Sequence, residues 1–313
     1  MTVSDRYHTP VLLHDSISGL DLKPGGTYVD VTYGGGGHSA LILEQLKEGR
    51  LIAFDQDVDA KRNLIKDERL SLVQQNFRFL KRNLKSLGIS KVDGILADLG
   101  VSGHQLDEGK RGFAFKQNGP LDMRMDRSVG RSAKEVLQIY SFEELARMFR
   151  VYGEVNNPGK LSEAVIRNRG QKEISTTEDF KEVCLQCAPQ KKQSQYLSKA
   201  FQAIRIEVND EMGALEDLLE QSVDVLNEGG RLVVISYHSL EDRMVKRFIR
   251  SGNFEGKIEK DFFGKDIRPF KPISAKATKP SEKEIEENPR ARSARLRIGE
   301  RTDEQTKKGK KEN

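Results

Sequence analysis

The sequence predicts an α/β fold, with a mostly parallel sheet, helices on both of its faces and a helical insertion domain. Strand-like and helix-like segments alternate over residues 7–107 and again from about residue 206, which is typical of βαβ units. Strand signals are lost over residues 108–205. We therefore predict one domain of residues 1–107 plus 206–313 and a helical insertion domain of residues 108–205.

The first part of the sheet is predicted from short apolar runs. Tyr28–Tyr33 is rich in β-branched and aromatic residues, as strands are, and it leads into four consecutive glycines. Leu41, Ile42 and Leu46 then lie on one face of a helix. The same criteria give strands at 28–33, 51–54, 70–73 and 92–97, and helices at 38–47, 57–65 and 79–87.

The rest of the chain is predicted in the same way. Ser141, followed by Glu144 three residues later, forms a capping-box pattern at the start of a helix. The insertion contains predicted helices at 133–140, 142–150, 161–169 and 177–185. Beyond it we predict a helix at 211–226, a turn at 227–230, a strand at 231–236, a helix at 240–250, a long loop at 251–287, a strand at 294–298 and a disordered last dozen residues.

Composition excludes several classes of protein. Charged residues make up 32% and aromatic residues 7% of the chain, which is typical of a soluble globular protein. No apolar run approaches the roughly 18–20 residues of a membrane helix, and we see no export signal. The two cysteines exclude a disulfide framework and favour the cytoplasm. Since no second cysteine pair accompanies Cys184 and Cys187, we expect no metal site.

The small net charge of +5 conceals an alternation of sign along the chain. Residues 1–107 carry −1 and residues 206–241 carry −8, whereas residues 108–205 carry +6 and residues 242–313 carry +8. Basic segments provide phosphate contacts in nucleic-acid-binding proteins. We therefore expect the insertion and the C-terminal region to contact a polyanion.

A ligand site is predicted from three features that follow strands. Gly34–Gly37 would let a ligand approach the backbone closely at a helix N-terminus. A dinucleotide fingerprint would require glycine at Ser39, and no P-loop lysine follows. Asp55 and Asp98 end later strands, where ligands bind in open α/β sheets. These features favour a nucleoside ligand without a long phosphate chain, such as S-adenosylmethionine.

Seven collinear blocks of the sequence carry a resemblance to one known family. They run in order from residue 8 to about residue 301, which makes the resemblance specific and nearly full-length. The blocks are His8–Leu13, Asp30–Ser39, Asp98–Ser102 with Gln105–Asp107, Gly119–Asp126, Phe201–Ile206, Ser236–Arg243 and Asn288–Ser293. Together they resemble the bacterial small-subunit ribosomal RNA methyltransferase H family, also called MraW.

The resemblance implies a class I methyltransferase fold of the Rossmann-like type with a helical insertion. It also implies methyl transfer from S-adenosylmethionine to the exocyclic N4 amine of a cytidine in the decoding centre of 16S rRNA. By the family's pattern, the residues that match cofactor-binding positions are Gly36, Gly37, His38, Asp55, Phe77, Asp98 and Gln105. Asp55 would accept from the ribose hydroxyls, and Phe77 would lie against the adenine.

The proton acceptor for an amine is left open by the sequence. Asp98 is the nearest carboxylate, but it could be committed to the cofactor; Asp122, Asp126 and His238 are alternatives. Methylation at a cytosine carbon would need a cysteine nucleophile near the fourth strand, and neither cysteine is there. Amine chemistry is therefore favoured.

The expected partner is 16S rRNA within the small ribosomal subunit, with no membrane partner. Candidate phosphate contacts are Arg111, Arg124, Arg205, Arg243, Arg290, Arg292 and Arg295. Two alternatives belong to other classes: a non-catalytic rRNA-binding assembly factor and a nucleotide-cofactor oxidoreductase. The sequence leaves the oligomeric state open, with a homodimer as one option.

Overall fold

The computed structural model describes residues 10–264 and 266–303. The chain divides into two compact units, which we call the sheet unit (residues up to Gly100 and from Gly213 onward) and the helical unit (Val101–Met212). The sequence placed these boundaries at 107/108 and 205/206. His8 and Thr9 of the first motif, and most of the tail that we predicted to be disordered, lie outside the described residues.

The sheet unit is built on seven strands in the order β3-β2-β1-β4-β5-β9-β8. β1 to β5 are parallel, whereas β9 and β8 are antiparallel to their neighbours. This arrangement confirms the predicted fold class. The strands are β1 Thr27–Asp30, β2 Arg50–Phe54, β3 Leu70–Val73, β4 Val92–Asp98, β5 Leu226–Ser236, β8 Phe270–Pro272 and β9 Arg295–Arg301, with a separate ribbon of β6 Glu259–Lys260 and β7 Asp266–Ile267.

Twelve α-helices occur among the described residues, and none of them is long and apolar enough to cross a membrane. They are α1 Leu13–Leu20, α2 Gly37–Gln45, α3 Leu80–Ser86, α4 Gly103–Asp107, α5 Ala133–Ile139, α6 Phe142–Val151, α7 Pro158–Arg169, α8 Thr177–Leu185, α9 Gln193–Asn209, α10 Glu211–Val225, α11 Ser239–Ser251 and α12 Glu282–Glu287.

The central strands of the sheet are almost continuously apolar because helices cover both faces of a parallel sheet. β1 lies at the centre, where Val29 pairs with Ile52 of β2 on one side and Ile95 of β4 on the other. All three side chains are fully buried. Helix α1 packs on β5, and its Leu20 belongs to an apolar core with Leu51 and Leu96 of the central strands. This core fixes the strands whose carboxyl ends carry the candidate site.

The helical unit has an apolar core of its own, to which α5 to α9 contribute. Phe149 of α6 and Phe180 of α8 stack there with ring centroids 6.3 Å apart. The predicted capping box is confirmed, because the Ser141 hydroxyl accepts from the Glu144 N–H and the Glu144 carboxylate accepts from the Ser141 N–H. Helix α9 was not predicted from the sequence.

Three local predictions were wrong. Residues 57–65 form a 3-10 helix over Val58–Asn63 with only Ala60 buried, because the segment lacks an apolar stripe. Residues 227–230 belong to β5, where a register shift separates the pairs Val92–Leu226 and Gly94–Arg231. The predicted loop at 251–287 contains β6 to β8 and α12, and the fully buried Phe270 anchors β8.

Candidate functional site

Four parallel strands bring polar side chains to one edge of the sheet. Asp30 ends β1, Asp98 ends β4, and Asp55 directly follows β2. Tyr237 directly follows β5. Because β2, β1, β4 and β5 are neighbours in the sheet, their carboxyl ends lie side by side. We call these four residues the strand-end cluster.

The glycine turn lies between β1 and α2 and uses conformations that other residues rarely adopt. Gly34 has φ 50° and Gly36 has φ 74°. A Cβ atom on Gly36 would lie 2.7 Å from the Tyr33 hydroxyl, and one on Gly37 would clash with the Pro10 ring. A Cβ atom on Gly35 would meet no heavy atom within 4 Å. The turn is therefore tight on its protein side and open at Gly35, as expected for a backbone that receives a ligand.

Asp55 is tied to this turn. Its Oδ2 accepts from the Gly34 N–H at 2.8 Å, and its Oδ1 accepts from the Asp57 N–H at 2.8 Å. Burial raises the pKa of Asp55 to about 6, although these two backbone hydrogen bonds lower it. A carboxylate has about four acceptor sites, so both oxygens retain capacity for hydroxyl donors. Asp55 thus has the position and chemistry expected of a ribose-binding residue.

Asp98 is held from two neighbouring strands. Its backbone N–H donates to Thr32 Oγ1 at 2.7 Å, and its Oδ1 accepts from the Tyr237 hydroxyl at 2.7 Å. Its Oδ2 lies 3.9 Å from Nδ1 of the buried His38, beyond hydrogen-bond distance. His38 Nε2 is 3.2 Å from the Val11 carbonyl oxygen.

The electrostatics around Asp98 and Tyr237 favour an acid–base role for the Asp98 carboxyl group. Burial raises the pKa of Asp98 to about 6, while His38 and the hydrogen bond from Tyr237 lower it. Burial and the adjacent carboxylate of Asp98 raise the pKa of Tyr237 well above its ordinary value, so its hydroxyl stays protonated and donates. Asp98 therefore changes protonation near the pH at which a general base is most effective.

Asp30 and Tyr237 are site residues to which the sequence analysis gave no role. The buried Asp30 accepts from the Ser39 hydroxyl at 2.7 Å and from the Thr32 N–H at 3.1 Å. It therefore fixes both the end of β1 and the first turn of α2. Both residues stand within the quoted motif blocks, and both follow runs of strand-forming residues. Their position at the end of a predicted strand was the sequence signal that could have identified both residues.

Phe77 and Gln105 are the remaining predicted cofactor residues. Phe77 is partly buried in a 3-10 turn, Phe77–Phe79, that follows β3. Gln105 is buried on α4 of the helical unit, where its Oε1 accepts from the Ser102 N–H at 3.0 Å. Their contact with a cofactor stays a prediction.

Two of the three alternative acid–base candidates, Asp122 and His238, are engaged locally. Arg124 donates to both carboxylate oxygens of Asp122 at 2.7 and 3.1 Å. Burial raises the pKa of Asp122, but the hydrogen bonds and charge of Arg124 outweigh it and the net shift is downward. His238 caps α11, where its ring accepts from the Glu241 N–H and lies 3.1 Å from the Glu241 carboxylate. These contacts favour structural roles for Asp122 and His238.

The predicted RNA-binding arginines fall into two groups, one hydrogen-bonded within the protein and the other exposed. Arg111 is buried and donates to the carbonyls of Arg124 and Met125, which indicates a structural role. Arg205 forms a paired contact with Glu211 at 2.8 and 2.9 Å, and Arg124 is paired as described above. The exposed group consists of Arg243, Arg290, Arg292 and Arg295.

An open, mostly parallel sheet whose glycine turn and acidic strand ends meet at one edge defines a nucleoside-cofactor-binding α/β protein, the class that includes class I methyltransferases. The model of the MraW methylase family matches residues 5–302. The chain therefore belongs to the MraW methylase family and is a methyltransferase.

Relatives of similar length support this assignment. Three of the relatives that match this chain, each from a different bacterium, are named ribosomal RNA small subunit methyltransferase H. The protein from Amoebophilus asiaticus is 51% identical over 96% of this chain and 97% of its own. That from Cytophaga hutchinsonii is 51% identical over 94% and 99%, and that from Flavobacterium johnsoniae is 51% identical over 96% and 100%.

Proposed function

We propose that the protein methylates 16S rRNA of the small ribosomal subunit, with S-adenosylmethionine as methyl donor, and that the acceptor is the N4 amine of a cytidine in the decoding centre. The relatives named above are small-subunit rRNA methyltransferases, which supports the rRNA substrate. The observation that carries the proposal is the meeting of the glycine turn, Asp55 and Asp98 at one sheet edge.

The residues at this edge fit S-adenosylmethionine. Gly35 leaves open space beside the backbone, and Asp55 has acceptor capacity for the two ribose hydroxyls. Phe77, after β3, offers an aromatic face for the adenine. The site needs no lysine for a phosphate chain, in agreement with the lack of a P-loop. When bound, the cofactor supplies an electrophilic methyl group on a sulfonium.

Amine methylation requires alignment of the nitrogen with the methyl group and removal of a proton. The lone pair of a cytosine amine is conjugated with the ring, so an acceptor for the amine hydrogens increases its nucleophilicity. We assign this role to Asp98, whose raised pKa suits a proton acceptor. Tyr237 holds Oδ1 at 2.7 Å and leaves acceptor capacity on Oδ2.

The cysteines argue against methylation of the base carbon. That reaction uses a cysteine thiolate that adds to the ring. Cys184 is fully buried in the core of the helical unit, and burial raises the pKa of its thiol well above the ordinary value. Cys187 is also buried, and burial raises its pKa too. Neither thiol has the environment of a nucleophile.

The test is to incubate 30S subunits from a deletion strain with the protein and labelled S-adenosylmethionine, and to locate the label by mass spectrometry of the rRNA. We expect N4-methylcytidine in the decoding centre. Binding without any labelled RNA would favour the non-catalytic assembly factor. Label on a carbon atom or on another nucleotide would overturn the assignment of the acceptor.

A further inference from the structure

Helix α11 presents a row of positive charges on its exposed face. Its other face is buried in the sheet unit through Val245, Phe248 and Ile249. Residues spaced three, four and seven apart lie on one side of a helix. The exposed residues with this spacing are Arg243, Lys246, Arg247 and Arg250.

These four side chains line one cleft, which we call the α11 cleft. It has a volume of about 300 Å³, and the following turn, at Glu255 and Gly256, completes its wall. A Cβ atom on Gly256 would lie 3.2 Å from Arg247 Cγ, so the turn packs directly against the helix. The lining thus carries four positive charges and one negative charge.

Two of the four cations of the cleft have no carboxylate partner among the described residues. Within the part of the chain that the structure describes, Lys246 and Arg250 form no ion pair and no side-chain hydrogen bond. Among the described residues, the Arg247 side chain donates only to the carbonyl of Phe254, at 3.4 Å. Like charges three and four residues apart destabilise a helix, and an anionic partner would offset this repulsion.

The basic segment that runs from the 3-10 turn Phe77–Phe79 into α3 provides a contrast within the same unit. There, Arg78 donates to Asp217 of α10 at 2.9 and 3.0 Å, and Lys81 lies 2.8 Å from Asp224. Positive charges that serve only solubility or packing can be paired in this way. Lys246 and Arg250 have no such carboxylate partner among the described residues, and they line one cleft with Arg243 and Arg247, which favours an anionic ligand from outside the chain.

We propose that the α11 cleft binds phosphates of the rRNA backbone, as a docking site separate from the strand-end cluster. This inference rests on the proposed rRNA substrate. Guanidinium groups suit phosphate oxygens because their planar donors match them in pairs. A row of cations along two turns of helix suits successive phosphates of one strand, and such contacts supply affinity without base specificity.

The experiment uses the full-length protein with Lys246→Gln, Arg247→Gln and Arg250→Gln combined. The matched control combines Lys81→Gln, Arg82→Gln and Lys85→Gln on α3, which removes the same charge from exposed positions of the same unit. Binding to 30S subunits and to protein-free 16S rRNA is measured over salt from about 50 to 200 mM. Thermal unfolding and S-adenosylmethionine affinity establish that each variant is folded.

We expect the cleft variant to bind both RNA probes more weakly, with a slope of log K against log salt that is shallower by about two. Cofactor affinity and unfolding temperature should match the control. Equal slopes for the cleft and control variants would refute the inference. Loss of affinity for 30S subunits alone would assign the cleft to a ribosomal protein and would also overturn it. This experiment measures binding, so its result is independent of catalysis. If the wild-type protein binds rRNA but does not label it, the proposed reaction is refuted and the inference about the α11 cleft is not affected.

Discussion

The strand-end cluster concentrates carboxyl groups and the α11 cleft concentrates cations, but the side chains of the two regions are held in different ways. In the cluster, Asp98 is held by the Tyr237 hydroxyl and Asp55 by two backbone N–H groups. In the cleft, Lys246 and Arg250 are exposed side chains on the surface of a helix. The first arrangement fixes atoms in place, whereas the second leaves long side chains in water.

This difference teaches what each region can do. Buried, hydrogen-bonded groups can be aligned with a reacting atom and have shifted pKa values, which catalysis requires. Exposed cations attract a polyanion over a distance and adapt to its shape, but their effect is screened by salt. Changes in the cluster should therefore alter the chemical step or cofactor binding, and changes in the cleft should alter binding to RNA and its salt dependence.

The largest effect should come from Asp98→Asn. The amide cannot accept a proton, so we expect kcat to fall by about 10²- to 10⁴-fold, the usual contribution of a general base. Single-turnover methylation of 30S subunits measures the chemical step directly. A loss confined to cofactor affinity, with an unchanged rate at saturation, would instead assign Asp98 to cofactor binding.

The pH dependence provides a second test of the same residue. Since its pKa is raised to about 6, Asp98 is ionised at pH 7 and becomes protonated as the pH falls through 6. We expect kcat to fall about tenfold per pH unit below that point. Asp98→Asn should abolish this limb of the profile, measured at saturating cofactor because Asp55 also titrates near pH 6.

Asp55→Ala should act on cofactor binding. It removes a charged acceptor for the ribose hydroxyls, a loss of about 1.5–3 kcal/mol, or roughly 10- to 150-fold in affinity. Isothermal titration with S-adenosylhomocysteine measures this affinity. Asp59→Ala, at a partly buried acidic residue of the 3-10 helix after β2, is the control. An equal loss in both variants would point to disruption of the 55–63 segment rather than of a ribose contact.

Tyr237→Phe should have a smaller effect in a predictable direction. The lost hydrogen bond favours the ionised carboxylate, so its removal raises the pKa of Asp98 and moves the acidic limb of kcat to higher pH. At pH 7 we expect a decrease in kcat of about tenfold or less. Tyr140→Phe, which also removes a 2.7 Å hydrogen bond to a carboxylate, is the matched control. A pH profile identical to that of the wild type would refute the positioning role.

The smallest effect should come from a single charge of the cleft. Arg250→Gln should reduce the salt slope of rRNA binding by about one or less and leave kcat unchanged at saturating substrate. Filter binding at several salt concentrations measures the slope. A decrease in kcat with an unchanged slope would contradict the separation of docking from chemistry.

Much of the sheet was predictable because its strands are local apolar runs between turns. β2 to β4 were predicted nearly to the residue. The segment from 251 to 287 was not, because its strands have two or three residues and charged or proline-containing sequences. Only distant contacts, such as the buried Phe270, stabilise them.

The site was predictable to the extent that it depends on single strand ends. The position of Asp55 and Asp98 could be predicted because acidic residues after parallel strands share one edge of a sheet. The partnership of Asp98 with Tyr237 joins residues 139 positions apart and depends on β4 lying next to β5. The burial of Arg111 likewise depends on the folded loop around Met125, and no sequence pattern marks it.

The position of β9 has a consequence for biosynthesis. This strand lies between β5 and β8, so one edge of β5 stays unpaired until residue 301 has been made. β5 ends at Ser236, 65 residues earlier. At about 5–20 residues per second, translation leaves the backbone N–H and C=O groups of this edge unpaired for roughly 3 to 13 seconds. An exposed edge is a template for pairing with other chains, so premature termination in this interval should yield aggregating fragments.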